Sequence, residues 1–322
     1  MRRRRDAHGL GSCRARGRRP EGTGFRTALL RFAEKTLPLP DGGREVRRRE
    51  TSLNDYRVSE VRAKKALGQH FLVDLNIARK ICDALSGGTA GTPAPVLEVG
   101  CGMGVLTQFL LQRPDVVVWG AEIDTESVVY LRAHYPEFTP RLMEGDFLRM
   151  ELRELFPDGL RVIGNFPYNI SSQIFFKVLE HRDLVCECVG MIQREVAERI
   201  ACGPGSKEYG ILSVLLQAWY DIEYLFTVGE KVFNPPPKVK SAVIRLRRNG
   251  VARLACDERL FVRVVKASFG QRRKMLRNAL RAAFGDFGGA EHPFFSQRAE
   301  QLSVADFVAL TQWVEARIAK DD

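Results

Sequence analysis

The sequence has no CxxC pair, and its seven cysteines, scattered from Cys13 to Cys256, are an odd number. That argues against a zinc ribbon or a disulfide framework, and for a reducing compartment; a cytoplasmic location and no metal site are expected. There is no apolar run near the roughly 20 residues that a membrane helix needs, so no membrane partner is expected. The first fifty residues hold one serine and no apolar stretch of the secretory type. Their six acidic residues also fit poorly with a mitochondrial presequence. Net charge is scarce outside this segment. Residues 1 to 50 carry fifteen Lys/Arg and six Asp/Glu, or +9, whereas residues 51 to 322 carry 35 and 33, or +2. The overall basicity therefore says little about the folded part, and basic patches must be argued locally.

What is present has a clear order. Residues 1–56 are rich in arginine, glycine and proline and read as a disordered basic tail. From about residue 57, apolar strands alternate with helical patterns: VLEVGC (96–101), VVVWGAEID (116–124), RLMEGD (141–146), RVIGN (161–165) and CECVGMIQ (186–193). This rhythm predicts an α/β fold, with a parallel sheet covered on both faces. DIEYLFTVGEKVF and KSAVIRLRR, joined by NPPPKV with no helix between, predict an antiparallel pair at the sheet edge. After a polar link at 249–257 the pattern is helical to the end. The expected domains are 57–249, catalytic, and 250–322, a small all-helical unit.

EVGCGMG (98–104) follows the first of these strands and opens a helix. A nicotinamide-type GxGxxG needs glycine at position 105, which is Val105. The GxGxG spacing behind an acid favours S-adenosylmethionine; a ligand-free strand–helix turn is the alternative. Glu122 ends the second strand and can accept hydrogen bonds from ribose hydroxyls, although exposed acids at strand ends are common. Asp146 ends the third and can accept from the adenine amino group of the cofactor, with Phe147 packed on the ring, or can simply cap a helix. Three such positions in register at carboxyl strand ends are where open α/β sheets bind ligands.

The fourth strand stops in Asn165-Phe166-Pro167-Tyr168. As a turn, this is a proline breaker followed by serines. As chemistry, it suits a flat ring bearing an amine. An aromatic amine is a poor nucleophile because its lone pair is delocalised. The Asn165 side-chain oxygen and the carbonyl of Phe166 or Pro167 can accept its two N–H groups, Pro167 stiffens the loop, and Tyr168 offers a stacking face. Positioning and preorganised dipoles would then carry catalysis, with no strong base. A base within structured RNA must be exposed or flipped to enter.

Taken together, KKALGQHFL, EVGCGMG, AEID, EGDF, GNFPYNIS, GPGSKEYGILSV, FNPPPKVKSAV and SFGQRRKMLRNAL resemble the ribosomal RNA small-subunit adenine N6-dimethyltransferase family in kind and order, across residues 61 to 280. The resemblance implies a Rossmann-like S-adenosylmethionine-dependent methyltransferase sheet with a small C-terminal all-helical domain. It also implies dimethylation of two adjacent adenosines near the 3′ end of small-subunit (16S) rRNA in the immature 30S subunit, by a monomer. It carries over His70, Leu72, Gly100, Glu122, Asp146 and Asn165 as cofactor-binding positions. Many family members have asparagine at the position of His70 and leucine at that of Phe166. Phe233 resembles a second aromatic that sandwiches the target base; a core aromatic at a strand end is the alternative. Family chains commonly begin shortly before the GQ-F-L block, which suggests a start later than Met1, such as at Leu53 or Val58.

Eight basic residues and no acid lie between Arg259 and Arg281. QRRKMLRNAL is expected to set Arg272, Arg273, Lys274 and Arg277 on adjacent helical turns as a phosphate-binding face, with Lys238, Lys240 and Lys207 contributing from the catalytic part. A solvated helix surface is the plainer reading. The rival functions are a large-subunit rRNA methyltransferase, a silent assembly factor on the same fold, and a glutamine or DNA-adenine methyltransferase with the NxPY logic.

Overall fold

A computed structural model describes residues 61–89 and 91–318. The expected tail at 1–56 lies outside the described residues. The main sheet has seven strands: β2 (Ala94–Val99), β3 (Val116–Glu122), β4 (Leu142–Glu144), β5 (Leu160–Asn165), β6 (Val185–Gln193), β7 (Tyr220–Val228) and β9 (Ser241–Arg248). Their order across the sheet is β4-β3-β2-β5-β6-β9-β7. The first five run parallel. β9 lies antiparallel between β6 and β7, so the expected antiparallel pair closes one edge of the sheet. The sequence rhythm did not show a second, two-stranded ribbon, in which β1 (Phe71–Leu72) pairs antiparallel with β8 (Phe233–Asn234).

Side chains alternate across the pleat, and the sheet separates two apolar clusters. On β5, Val162 faces one and Ile163 the other; on β6, Ile192 and Met191 do the same. Helices start where short polar side chains answer free N–H groups. Asp74 accepts from the backbone of Asn76 and Ile77 and opens α1 (Leu75–Asp83). Asp257 accepts from Leu260 at 2.6 Å and opens α8 (Glu258–Gly270), taking α2 to α7 as the intervening helices from Thr107 to Gln217.

The C-terminal helices, α8, α9 (Leu276–Phe284) and α10 (Val304–Ile318), do not build a core of their own. Phe261, Val265, Leu280, Phe307 and Leu310 join the cluster that also holds Val162, Ile192 and Trp219. Trp219 meets Phe261 edge-on, with ring centroids 6.1 Å apart. Arg182 pairs with Glu258 at 2.6 Å across the same seam. Burial of such side chains contributes about 1.5–3 kcal/mol each, which ties the helical unit to the sheet.

Candidate functional site

The carboxyl ends of β2, β3 and β5, with the loop after β4, open into one cavity of about 630 Å³. Segment 66–72, the loops 98–106, 121–123 and 145–149, and residues 165–170 all line it. The expected residues His70, Leu72, Gly100, Glu122, Asp146, Asn165, Pro167 and Tyr168 therefore share one chamber. Although 95 residues apart, His70 and Asn165 are joined directly.

The cavity floor is acidic and buried. Glu98 is 1% exposed and accepts from the Thr107 hydroxyl at 2.6 Å. Burial pushes its carboxyl up to about 8. Glu122 is 3% exposed, and burial likewise raises its pKa. Its Oε2 accepts from the Gly102 amide at 2.8 Å and its Oε1 from the Asp124 amide at 2.9 Å. Glu122 thus clamps the glycine loop to the end of β3, and each oxygen keeps only its remaining acceptor capacity for a ligand. Gly100 has φ 74°, and a Cβ there would meet nothing closer than 3.9 Å, between the Asn165 carbonyl and Pro167 Cδ. A side chain would stand in the cavity, whereas glycine leaves that space to a ligand.

The raised Glu98 value has a consequence for stability. The folded chain holds this proton up to about pH 8, whereas the unfolded chain releases it near pH 4.5. Folding therefore takes up a proton in that window, and the contribution of Glu98 to stability falls as pH rises through it. Glu98→Gln should gain on the parent protein from about pH 5 to pH 9, read as a widening difference in Tm. A constant difference over that range would contradict this.

Asp146 behaves first as a cap: Oδ1 accepts from the Leu148 amide at 2.9 Å and opens a single 3-10 turn. Behind that turn, the Lys177 ammonium donates to the carbonyls of Leu148 (3.0 Å) and Met150 (2.6 Å) and holds the loop in place. Ile123, 51% exposed on the cavity wall, was missed by sequence reading. Its place directly after Glu122 at a strand end was the available signal. Gln69 and Lys64 were also missed. Gln69 donates to Asp124 at 3.2 Å, Lys64 pairs with both Asp124 and Glu126, and together they hold segment 64–72 against the cavity.

The Asn165 amide has a defined direction. Its Nδ2 donates to the His70 carbonyl at 2.9 Å, and a carbonyl can only accept, so Oδ1 is the acceptor end, without a hydrogen bond among the described residues. Phe166 is buried over Gly164 and Gly190, where any Cβ would strike its ring. The Pro167 carbonyl accepts from Ile170 and starts the next helix, so the Phe166 carbonyl is the backbone acceptor of this loop that takes part in no turn or cap bond among the described residues. Tyr168 is half-buried, and its hydroxyl lies 2.6 Å from the Ser241 hydroxyl.

Two expectations are corrected. Phe233 does not line the cavity: it is 4% exposed and packs with Leu72, Val228 and Val243 because β8 pairs with β1. The ring facing Tyr168 is that of His70, with centroids 5.3 Å apart. QRRKM is also not helical. Residues 271–274 form a turn, and α9 begins at Leu276. Acids from beyond the basic window fold back onto it. Arg277 pairs with Glu291, Arg281 with Asp286 at 2.6 Å, and Arg272 with Glu300 at 3.9 Å and the Lys207 carbonyl. Arg273 and Lys274 in the turn, and Lys238 and Lys240 beside β9, are exposed, with no ion pair among the described residues.

Comparison with known proteins gives this arrangement a family. Residues 60–315 match the ribosomal RNA adenine dimethylase family. The chain belongs to that family. A Parabacteroides distasonis protein named ribosomal RNA small subunit methyltransferase A is 58% identical over 253 residues, covering 78% of this chain and 93% of its own. A Porphyromonas gingivalis protein of the same name is 60% identical over 255 residues, 78% of this chain and 97% of its own. Among solved structures, a dimethyladenosine transferase from Plasmodium falciparum has a TM-score of 0.66 at 25% identity, covering 77% and 98% of the two chains. The 23S rRNA methyltransferase ErmE has a TM-score of 0.56, also at 25% identity, covering 75% and 99%. The Rossmann-like methyltransferase sheet and its helical C-terminal segment are thus those of an rRNA adenine dimethylase.

Proposed function

We propose that the protein transfers methyl groups from S-adenosylmethionine to N6 of two adjacent adenosines near the 3′ end of small-subunit rRNA, two to each. The observation that carries this is the direction of the Asn165 amide, whose oxygen is left as an acceptor in the cavity that Tyr168 also lines. The cavity fits the cofactor: a glycine cradle open at Gly100, the Glu122 carboxyl at the end of β3 with acceptor capacity left for hydroxyls, and Asp146 with Ile123 for an adenine. Bound there, S-adenosylmethionine supplies an electrophilic methyl group.

The chain's residues do the rest. In the first transfer Asn165 Oδ1 and the Phe166 carbonyl accept the two N–H groups of the target amine and draw its lone pair out of the ring; in the second, one of them accepts the single N–H that remains. Pro167 fixes their separation, and Tyr168 holds the base by its face. The acceptors are in place before the substrate arrives, so little reorganisation remains at the moment of transfer. No general base is required, because the amine loses its proton after the bond forms. Exposed Arg273, Lys274, Lys238 and Lys240 supply phosphate contacts, which orient the RNA without choosing the adenosines. The substrate is the RNA of an immature 30S subunit, and the protein acts as a monomer.

Labelled S-adenosylmethionine and purified protein, offered 16S-class and 23S-class RNA in assembling subunits, test this reading. Label and a primer-extension stop near the 3′ end of the 16S-class RNA are expected. Binding of immature small subunits without transfer would favour a silent assembly factor, and label on 23S-class RNA would favour a large-subunit rRNA methyltransferase.

A further inference from the structure

Loop 235–240, between β8 and β9, is flanked by contacts to two residues that line the cavity, His70 and Tyr168. At its first residue, the Pro235 carbonyl lies 2.8 Å from His70 Nδ1. A carbonyl accepts only, so Nδ1 carries the proton. His70 in turn supplies the carbonyl that orients Asn165. Just past the loop's last residue, the hydroxyl of Ser241 lies 2.6 Å from that of Tyr168. Ser241 is fully buried at the start of β9, where it pairs with Gln193 of β6 and Val228 of β7. The Tyr168 hydroxyl is thus engaged on the protein side, at a point held by three strands. Between the two contacts stand exposed Lys238 and Lys240.

We propose that Ser241 is a positioning residue for methyl transfer: it holds the Tyr168 ring by its hydroxyl and so fixes where that stacking face stands in the cavity, from the end of the loop that meets the RNA backbone. This rests on the proposed RNA methyl transfer. A tyrosine side chain has two torsions, and its hydroxyl lies on the axis of the second; a buried hydroxyl at 2.6 Å therefore fixes the first, the direction in which the ring points, and leaves the tilt of its plane to packing on its faces. The other end of the same segment reaches Asn165 through His70, so Asn165 and Tyr168 are both referred to residues 235–241.

The experiment is single-turnover methyl transfer at saturating RNA and S-adenosylmethionine for Ser241→Ala, Tyr168→Phe and the double variant. Binding of S-adenosylhomocysteine and Tm are measured alongside. Loss of one hydrogen bond is worth about 0.5–1.5 kcal/mol, or roughly two- to tenfold in rate. Each single variant should slow transfer by that factor, the double variant should be no slower than either, and S-adenosylhomocysteine affinity should be unchanged. Ser241→Thr, which keeps the hydroxyl, should recover most of the rate. Transfer at the parent rate in either single variant, or a double variant slowed by the product of the two, would overturn the proposal. If Ser241→Ala does not fold, Tyr168→Phe decides alone, since it removes the same bond and leaves β9 intact. Failure of the parent protein to methylate any RNA would instead overturn the proposed function.

Discussion

Asn165→Ala should lower the single-turnover rate of methyl transfer by about 10²- to 10³-fold, the usual cost of removing one preorganised polar group from an active site. The side chain contributes in two ways. Its Oδ1 is the acceptor for the target amine, and its Nδ2 donates to the His70 carbonyl at 2.9 Å. Alanine removes the first outright and leaves the His70 carbonyl without its donor. Cofactor affinity should fall much less, because the Gly100 cradle, Glu122 clamp and Asp146 loop are held by other hydrogen bonds. Calorimetry with S-adenosylhomocysteine beside single-turnover kinetics separates the two effects. Unchanged turnover would remove this account of the loop. Loss of cofactor binding in proportion to rate would make Asn165 a cofactor residue and nothing more.

Arg273→Ala/Lys274→Ala should weaken binding to small-subunit RNA and flatten its salt dependence, whereas Arg277→Ala should do little. All three residues are exposed, but Arg277 already pairs with Glu291 and stacks on the Phe295 ring, 5.7 Å from its centroid. Every phosphate that the protein no longer neutralises reduces the slope of log affinity against log salt by about 0.7–0.9, so the double variant should lose about 1.5 in slope. Filter binding from about 50 to 200 mM salt reads this directly. Equal losses for the double variant and Arg277→Ala would mean that the ion pair opens on the RNA and that the whole basic stretch counts.

That contrast shows where sequence reading reached and where it stopped. The glycine spacing, the acids at successive strand ends and the Asn-Phe-Pro-Tyr turn are local patterns, and the period of the strands placed them in register. Glu98, Glu122, Asp146 and Asn165 consequently meet in one cavity. Asp146 shows the limit of a local reading, since the same residue caps a turn and lines the site. Pairing between distant segments has no local period. Nothing in GQHFL says that it will form a ribbon with FN at 233–234, yet that pairing buries Phe233 and brings the His70 ring to Tyr168. Likewise, the acids that neutralise Arg272, Arg277 and Arg281 lie outside the window in which the basic residues were counted, and only the return of residues 286–300 reveals them. The link expected to be polar at 249–257 is instead partly apolar: Val251, Leu254 and Cys256 pack against the core that sheet and helices share, and no local pattern announces that sharing.

The central claim is that this cavity delivers methyl groups to N6 of adenine in small-subunit rRNA. Mass-spectrometric mapping of rRNA, from cells with and without the protein, tests it most directly. N6,N6-dimethyladenosine at two adjacent positions near the 3′ end of the small-subunit RNA should be present with the protein and absent without it. Unmodified adenosines there in cells that contain the active protein, or modification confined to large-subunit RNA, would contradict it.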